Sequence, residues 1–240
     1  MTTDLSAPIA TALAGNPARV QRLEIAGQTI WIKRRESLSP LRRLQKGNAA
    51  RAFEAERHAL HHLAALDLPV PRILDEGPDH IALADSGTAL DRILLDGIGS
   101  DAARLTIFAA AGRALADLHR HGISHGRPAL KDICWDGTRI TFLDFERYAE
   151  HRNTPKGHAM DVVMFVFNGF ATGRGTTPEM ARAIEAYRAH DPGGLWTLAQ
   201  AWCARMGWID TLTRPLQARP GTKAREFKAI PLTLAAFAAD

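Results

Sequence analysis

Apolar and polar positions alternate, though not strictly, over Val20–Ile25, where Val20, Leu23 and Ile25 are separated by Gln21, Arg22 and Glu24. Ala26-Gly27-Gln28 supplies a turn, and residues 29–33 are rich in β-formers. The pair predicts a hairpin with Lys33 at the end of its second strand. Residues 1–16 read as a ragged lead-in or a short helix. Residues 37–47 are polar and basic, contain Pro40, and read as a loop with a short helical turn. Over 49–66 apolar residues recur at Phe53, Leu60, Leu63 and Leu66 among many alanines, a helical spacing, and Pro69 and Pro71 end it. Residues 70–74 and His80–Ala84 predict two further strands, joined at Glu76-Gly77-Pro78-Asp79.

After Asp85-Ser86-Gly87 the pattern turns helical. Residues 89–95 predict a short amphipathic helix and 102–121 a long one, stopped by Gly122. A polar loop at 125–132 follows, then strands at 133–135 and 140–143, with Asp136-Gly137 as a tight hairpin turn. Beyond His158 the chain reads as helices with breaks near Gly173, Pro192-Gly193-Gly194 and Pro215. No internal repeat or low-complexity tract is visible. The expected organisation is a β-rich N-terminal lobe, residues 1–85, and a helical C-terminal lobe, residues 86–240, with the hinge at Asp85-Ser86-Gly87.

The 240 residues and 46% hydrophobic content allow a full core and argue against disorder. The two cysteines, Cys134 and Cys203, both fall in apolar patterns, which points away from a disulfide framework and towards a reducing compartment. Neither a signal peptide nor a membrane span is read, so the expected location is cytoplasmic. The net charge of +4 is unevenly placed. Lys33, Arg34, Arg35, Arg42, Arg43, Lys46 and Arg51 stand against Glu36 alone. A second basic group comprises Arg214, Arg219, Lys223, Arg225 and Lys228. Such surfaces favour phosphate-rich partners. Stacking aromatics are missing from the first group beyond Trp31 and Phe53, which argues against nucleic acid.

Four signals fall in one order. Lys33 ends a strand, and Glu56 lies on the next helix. The loop His125-Gly126-Arg127-Pro128-Ala129-Leu130-Lys131-Asp132 follows a long helix, and Asp144-Phe145-Glu146 follows a strand. Nucleotide phosphates need a fixed cation, and a glutamate beside a lysine orients it and keeps it charged. Magnesium takes oxygen ligands, which carboxylates provide.

This order resembles the protein-kinase-like superfamily, in particular the lipopolysaccharide core kinases (the Kdo/heptose group) and small-molecule relatives such as aminoglycoside phosphotransferases. Glu56-Arg-His-Ala-Leu-His-His-Leu with Leu68-Pro-Val-Pro-Arg-Ile-Leu is similar to their helix-to-strand passage, and His80-Ile-Ala-Leu-Ala-Asp-Ser-Gly to their strand into the hinge. The resemblance covers roughly residues 20–170. It implies an α+β, two-lobed fold: a small antiparallel sheet with one helix, then a mostly helical lobe carrying the catalytic and metal loops. It implies ATP and magnesium as cofactors. Lys33 would hold phosphates, Glu56 would orient Lys33, and Asp132 and Asp144 would bind the metal. Asp161 matches an aspartate that braces the catalytic loop's backbone.

The chain departs from the pattern in three places. No glycine-rich loop precedes Lys33. Arg127 stands where the catalytic aspartate is expected. Asp132 and Glu146 replace an asparagine and a glycine. General-base help is worth typically ~10²–10⁴ in rate, but phosphoryl transfer depends mainly on positioning and charge neutralisation, a task a fixed guanidinium can serve. The expected function is ATP-dependent phosphorylation of a hydroxyl on a small molecule or a cell-envelope glycolipid sugar, the protein working in the cytoplasm or peripherally at the anionic inner membrane. Two alternatives stand beside it: a silent pseudokinase that binds nucleotide or a partner as a regulator, and a membrane or nucleic-acid binder that has lost the nucleotide site. Asp144 and Asp161 lie too close in sequence for a long peptide-docking segment, which favours a small or lipid-linked acceptor.

The histidine groups His119, His121, His125 and His58, His61, His62 lack completing cysteines or acids at zinc-site spacing. Trp196, Trp202 and Trp208 read as core and lobe-packing residues.

Overall fold

A computed structural model describes residues 5–35, 49–221 and 224–238. The basic stretch at 37–47 therefore lies outside the described residues. The chain divides into two compact units. One spans Met1–Ser86 with Leu143–Glu146; the other spans Gly87–Phe142 with Arg147–Asp240.

The first unit is built on an antiparallel sheet in the order β1-β2-β4-β3, formed by β1 (Val20–Ile25), β2 (Gln28–Arg34), β3 (Ile73–Gly77) and β4 (His80–Ala84). Ala26 and Gly27 both take positive φ, 50° and 76°, the turn geometry that matches strand twist in a two-residue hairpin. Ile30 and Ile32 point to one face and are fully buried. With Ile9 of the helix α1 (Ser6–Gly15) and Ala82 they form one apolar cluster. Period-two alternation puts Lys33 on the other face. The helix α2 (Ala49–Ala65) buries Phe53, Ala59, Leu60 and Leu63, while Leu66, the last residue of the spacing read in the sequence, lies just past the helix and is exposed.

The strand expected at 70–74 begins instead at Ile73. Pro69 and Pro71 lack the N–H groups a ladder needs, and a register irregularity between Ile73 and Asp75 shifts the pairing further along.

The second unit is mostly helical, with α3 (Leu90–Leu95), α4 (Asp101–Arg120), α5 (Pro155–Gly173), α6 (Pro178–Ala189), α7 (Leu195–Arg205), α8 (Trp208–Gln217) and α9 (Arg225–Ala238). Ser100 caps α4, its hydroxyl accepting from the Ala103 N–H at 3.2 Å. Thr154-Pro155 and Thr177-Pro178 start α5 and α6 alike: the threonine hydroxyl accepts from the third helical N–H, and proline fills the first helical position. α4 and α6 approach closely at Gly112, where a Cβ would sit 2.1 Å from the Ala183 carbonyl oxygen.

A small sheet, β5 (Thr88–Ala89), β6 (Ile133–Trp135) and β7 (Ile140–Phe142), is embedded among these helices. Two local expectations are corrected here. The β6–β7 connection is a four-residue turn rather than a two-residue one. Asp136 Oδ1 accepts from the Thr138 and Arg139 N–H groups, each at 2.8 Å, so the side chain holds the turn. Pro215 lies inside α8 instead of breaking it. The N–H it lacks would have met the exposed Thr211, on the solvent side of a short helix.

Candidate active site

In the first unit, Lys33 is the penultimate residue of β2 and the middle of α2 presents Glu56. Lys33 Nζ lies 2.5 Å from each carboxylate oxygen of Glu56. The Asp144 Oδ1 atom is 3.6 Å from the same ammonium. Glu56 is buried and the Lys33 side chain nearly so. Burial pushes the Glu56 carboxyl above the ordinary carboxylate range, against the pull of the Lys33 charge and hydrogen bond and with a further push from Asp144. Asp144 holds a left-handed backbone at φ 61°. Outside glycine this region is uncommon, and it concentrates where function constrains the chain. One cation held between two acids, one of them partly solvent-exposed, can fix a polyanion while leaving a carboxylate for a metal.

In the second unit, the loop after α4 is fastened through its backbone. The Asp161 carboxylate, on α5 and 2% exposed, accepts from the N–H groups of His125 at 2.5 Å and Gly126 at 2.9 Å. This is the bracing role expected of Asp161. Asn168, two turns further along the same face of α5, accepts from the Leu130 N–H at 2.7 Å. Asn153 accepts from the Ser124 N–H at 2.9 Å, and the Ser124 hydroxyl donates to the Arg152 carbonyl. Gly126 sits at φ 93°, and a Cβ there would come within 2.7 Å of the Arg147 carbonyl oxygen, so only glycine fits.

Of the residues singled out from sequence, Lys33, Glu56 and Asp144 come together in the first unit, and Arg127 and Asp132 belong to the second. Arg127 is half-buried, and its N–H donates to His125 Nδ1 at 3.4 Å. Asp132 closes a 3₁₀ turn, Leu130–Asp132, and is 6% exposed. Lys131 Nζ reaches its Oδ1 at 2.6 Å, a pairing not anticipated from the sequence. The hard carboxylate oxygens of Asp132 and Asp144 are the donor chemistry magnesium takes. Among the described residues no cluster of three or more His, Cys, Asp or Glu side chains forms a metal site by itself. A cavity of about 290 Å³ opens beside the loop, lined by Ser124, Gly126, Arg152, Lys156 and Asp161 among others.

Sequence reasoning missed Asn168 and Asn153 as loop braces. The i, i+7 spacing of Asp161 and Asn168 on one helix was the available signal. It also missed a buried cluster beneath the loop. His119 Nδ1 and the Tyr187 hydroxyl are 2.8 Å apart, His119 Nε2 is 3.5 Å from Asp161 Oδ2, and the His119 and His158 rings stack at 4.9 Å.

A family model described as APH, the phosphotransferase enzyme family, matches residues 40–220. The chain belongs to this phosphotransferase family. Its members are protein-kinase-like, in keeping with the antiparallel sheet of the first unit and the helical second unit. The match begins after Lys33. The chain is also 26% identical over 200 residues to an uncharacterized protein of Haemophilus influenzae, covering 83% of this chain and 82% of that one. Among solved structures it is similar to WaaP in complex with acyl carrier protein, at 17% identity and a TM-score of 0.47, covering 81% of this chain and 90% of that one. It is also similar to the bifunctional kinase-methyltransferase WbdD, at 12% identity and a TM-score of 0.47, covering 74% and 44%. No helix among the described residues is long and apolar enough to cross a membrane.

Proposed function

We propose that this phosphotransferase moves the γ-phosphoryl group of ATP to a hydroxyl on a sugar of a cell-envelope glycolipid, working peripherally at the membrane. The observation that carries the nucleotide half is the Lys33 ammonium held at 2.5 Å by Glu56, with Asp144 at 3.6 Å. In this reading residues 1–85 serve as the nucleotide-binding lobe and residues 86–240 carry the catalytic and metal loops. Lys33 holds the phosphates and Glu56 fixes its direction. Asp132 and Asp144 would hold magnesium, which would neutralise charge on the phosphate oxygens. Arg127 neutralises charge on the transferring group or contacts the acceptor. Asp132 or Glu146 takes the acceptor's proton.

The acceptor half rests on the short stretch between Asp144 and α5. Only two 3₁₀ turns, Phe145–Arg147 and Glu150–Arg152, precede that helix, so no long segment exists to dock a peptide. The cavity beside the catalytic loop is small, and its cations Arg152 and Lys156 suit an anionic acceptor.

A second reading is favoured by one observation, Arg127 in place of an aspartate: the chain binds nucleotide and regulates a partner without transfer. The test for both is thermal stability with ATP, with and without magnesium, on the native chain and Asp144→Ala. A ligand that binds only the folded state raises the melting temperature. A magnesium-dependent rise that Asp144→Ala abolishes supports the nucleotide site, and no rise at millimolar ATP overturns it. Binding without turnover across anionic sugar acceptors would select the regulator.

A further inference from the structure

The helix α8 leaves part of its apolar face exposed. Trp208 is 59% exposed and Leu212 68%, and Pro215 is exposed on the same stripe at i, i+4, i+7 spacing. The half-buried side of the helix carries Ile209 and Leu216 beside the polar Asp210, Thr213 and Gln217. There Gln217 Nε2 donates to Asp210 Oδ1 at 3.0 Å and to the Thr213 hydroxyl at 2.9 Å. No residue of α8 is buried. A helix that serves only its own domain places its apolar stripe inward; this one leaves an indole and a leucine in water.

The surroundings are cationic. Arg205 precedes the helix, Arg214 lies on it, and Arg219 follows it; Arg225 and Lys228 start α9, against which α8 packs. Arg205, Arg214, Arg219, Arg225 and Lys228 are exposed. The acids in the same stretch are Asp210 and Glu226, and Asp210 is tied to Arg214 at 3.7 Å and to Gln217. Exposed tryptophan and leucine flanked by an excess of arginines match the physical requirements of a helix lying in the headgroup region of an anionic bilayer: apolar groups enter the acyl boundary, tryptophan sits at the interface, and arginines meet phosphate.

We propose that α8 is the membrane-docking element of this protein, binding anionic lipid bilayers through Trp208 and Leu212 with Arg205 and Arg219 as electrostatic anchors. This deepens the proposed peripheral location but does not depend on phosphoryl transfer. Its test contains no nucleotide, so the two fail separately.

The experiment is co-sedimentation of the full chain with vesicles of phosphatidylcholine alone and of phosphatidylcholine mixed with phosphatidylglycerol. Solution mass by light scattering is measured in parallel. The native chain is expected to partition onto the anionic vesicles, less so as salt screens the charges. Trp208→Gln with Leu212→Gln should lower the partition coefficient at least about tenfold. Arg205→Glu with Arg219→Glu should do the same. These side chains are exposed, so an unchanged melting temperature shows that each variant folds. Absence of native binding to anionic vesicles overturns the proposal, as does binding that either folded pair of substitutions leaves intact. Concentration-dependent self-association abolished by Trp208→Gln with Leu212→Gln, without vesicle binding, would assign the face to a second copy of the chain and overturn it too.

Discussion

Lys33 and Glu56 form a nearly buried ion pair in which the ammonium lies 2.5 Å from both carboxylate oxygens. Removing one partner of such a pair leaves the other charge without compensation in a poorly solvated place. Lys33→Ala is therefore expected to cost about 3 kcal/mol, somewhat less where water reaches the cut side chain, measured by urea denaturation. Lys33→Met with Glu56→Gln should recover much of that loss while abolishing any ATP-induced rise in melting temperature. A double variant no more stable than Lys33→Ala would show that the pair is not what the substitution broke.

The same pair has a pH signature. Burial raises the Glu56 carboxyl above its ordinary value, so over the window between the two values the folded state holds more protons than the unfolded. Stability from this group is then full below the ordinary carboxylate value and is lost as pH rises through the raised one. The melting temperature of Glu56→Gln, relative to the native chain, should climb across that window. A relative fall would contradict it.

Asp161 gathers two N–H groups of the loop at 125–132 onto one buried carboxylate. Hydrogen bonds to a charged group are worth about 1.5–3 kcal/mol each. Asp161→Ala is expected to lose about 3 kcal/mol or more of unfolding free energy and to expose the His125 and Gly126 amides to hydrogen exchange. Unchanged protection of these two amides would remove the bracing role.

His158, stacked on His119 in the buried cluster, is held below the ordinary histidine value of 6.5 by burial and by the His119 charge. The unfolded state therefore takes up the proton at higher pH than the folded one. Stability from this group is present above the ordinary histidine value and is lost as pH falls towards the lowered one. The melting temperature should drop as pH falls below the ordinary histidine value of about 6.5, and less so in His158→Gln. An equal drop in the variant would assign the acid sensitivity elsewhere.

Much of the site was legible in the chain because its signals are local. Alternation over 20–33 placed Lys33 at a strand end, helical spacing over 49–66 put Glu56 on a helix, and the polar loop between a long helix and a hairpin marked 125–132. Proline explains the error at 70–72: its missing N–H moved the strand to Ile73, whereas composition had started it at Val70.

The sequence by itself determined the order of strands and helices, though not every boundary, and the order of Lys33, Glu56, the loop and Asp144. Period and turn chemistry are properties of neighbouring residues. Only the tertiary structure decided that Asp161 and Asn168 hold the loop by its backbone, that Gly112 admits the Ala183 carbonyl, and that Trp208, expected in the core, stands in water while Trp196 is buried against Phe237 at 4.4 Å. These outcomes depend on which distant segments dock. A tryptophan has the same apolar surface whether or not another helix arrives to cover it.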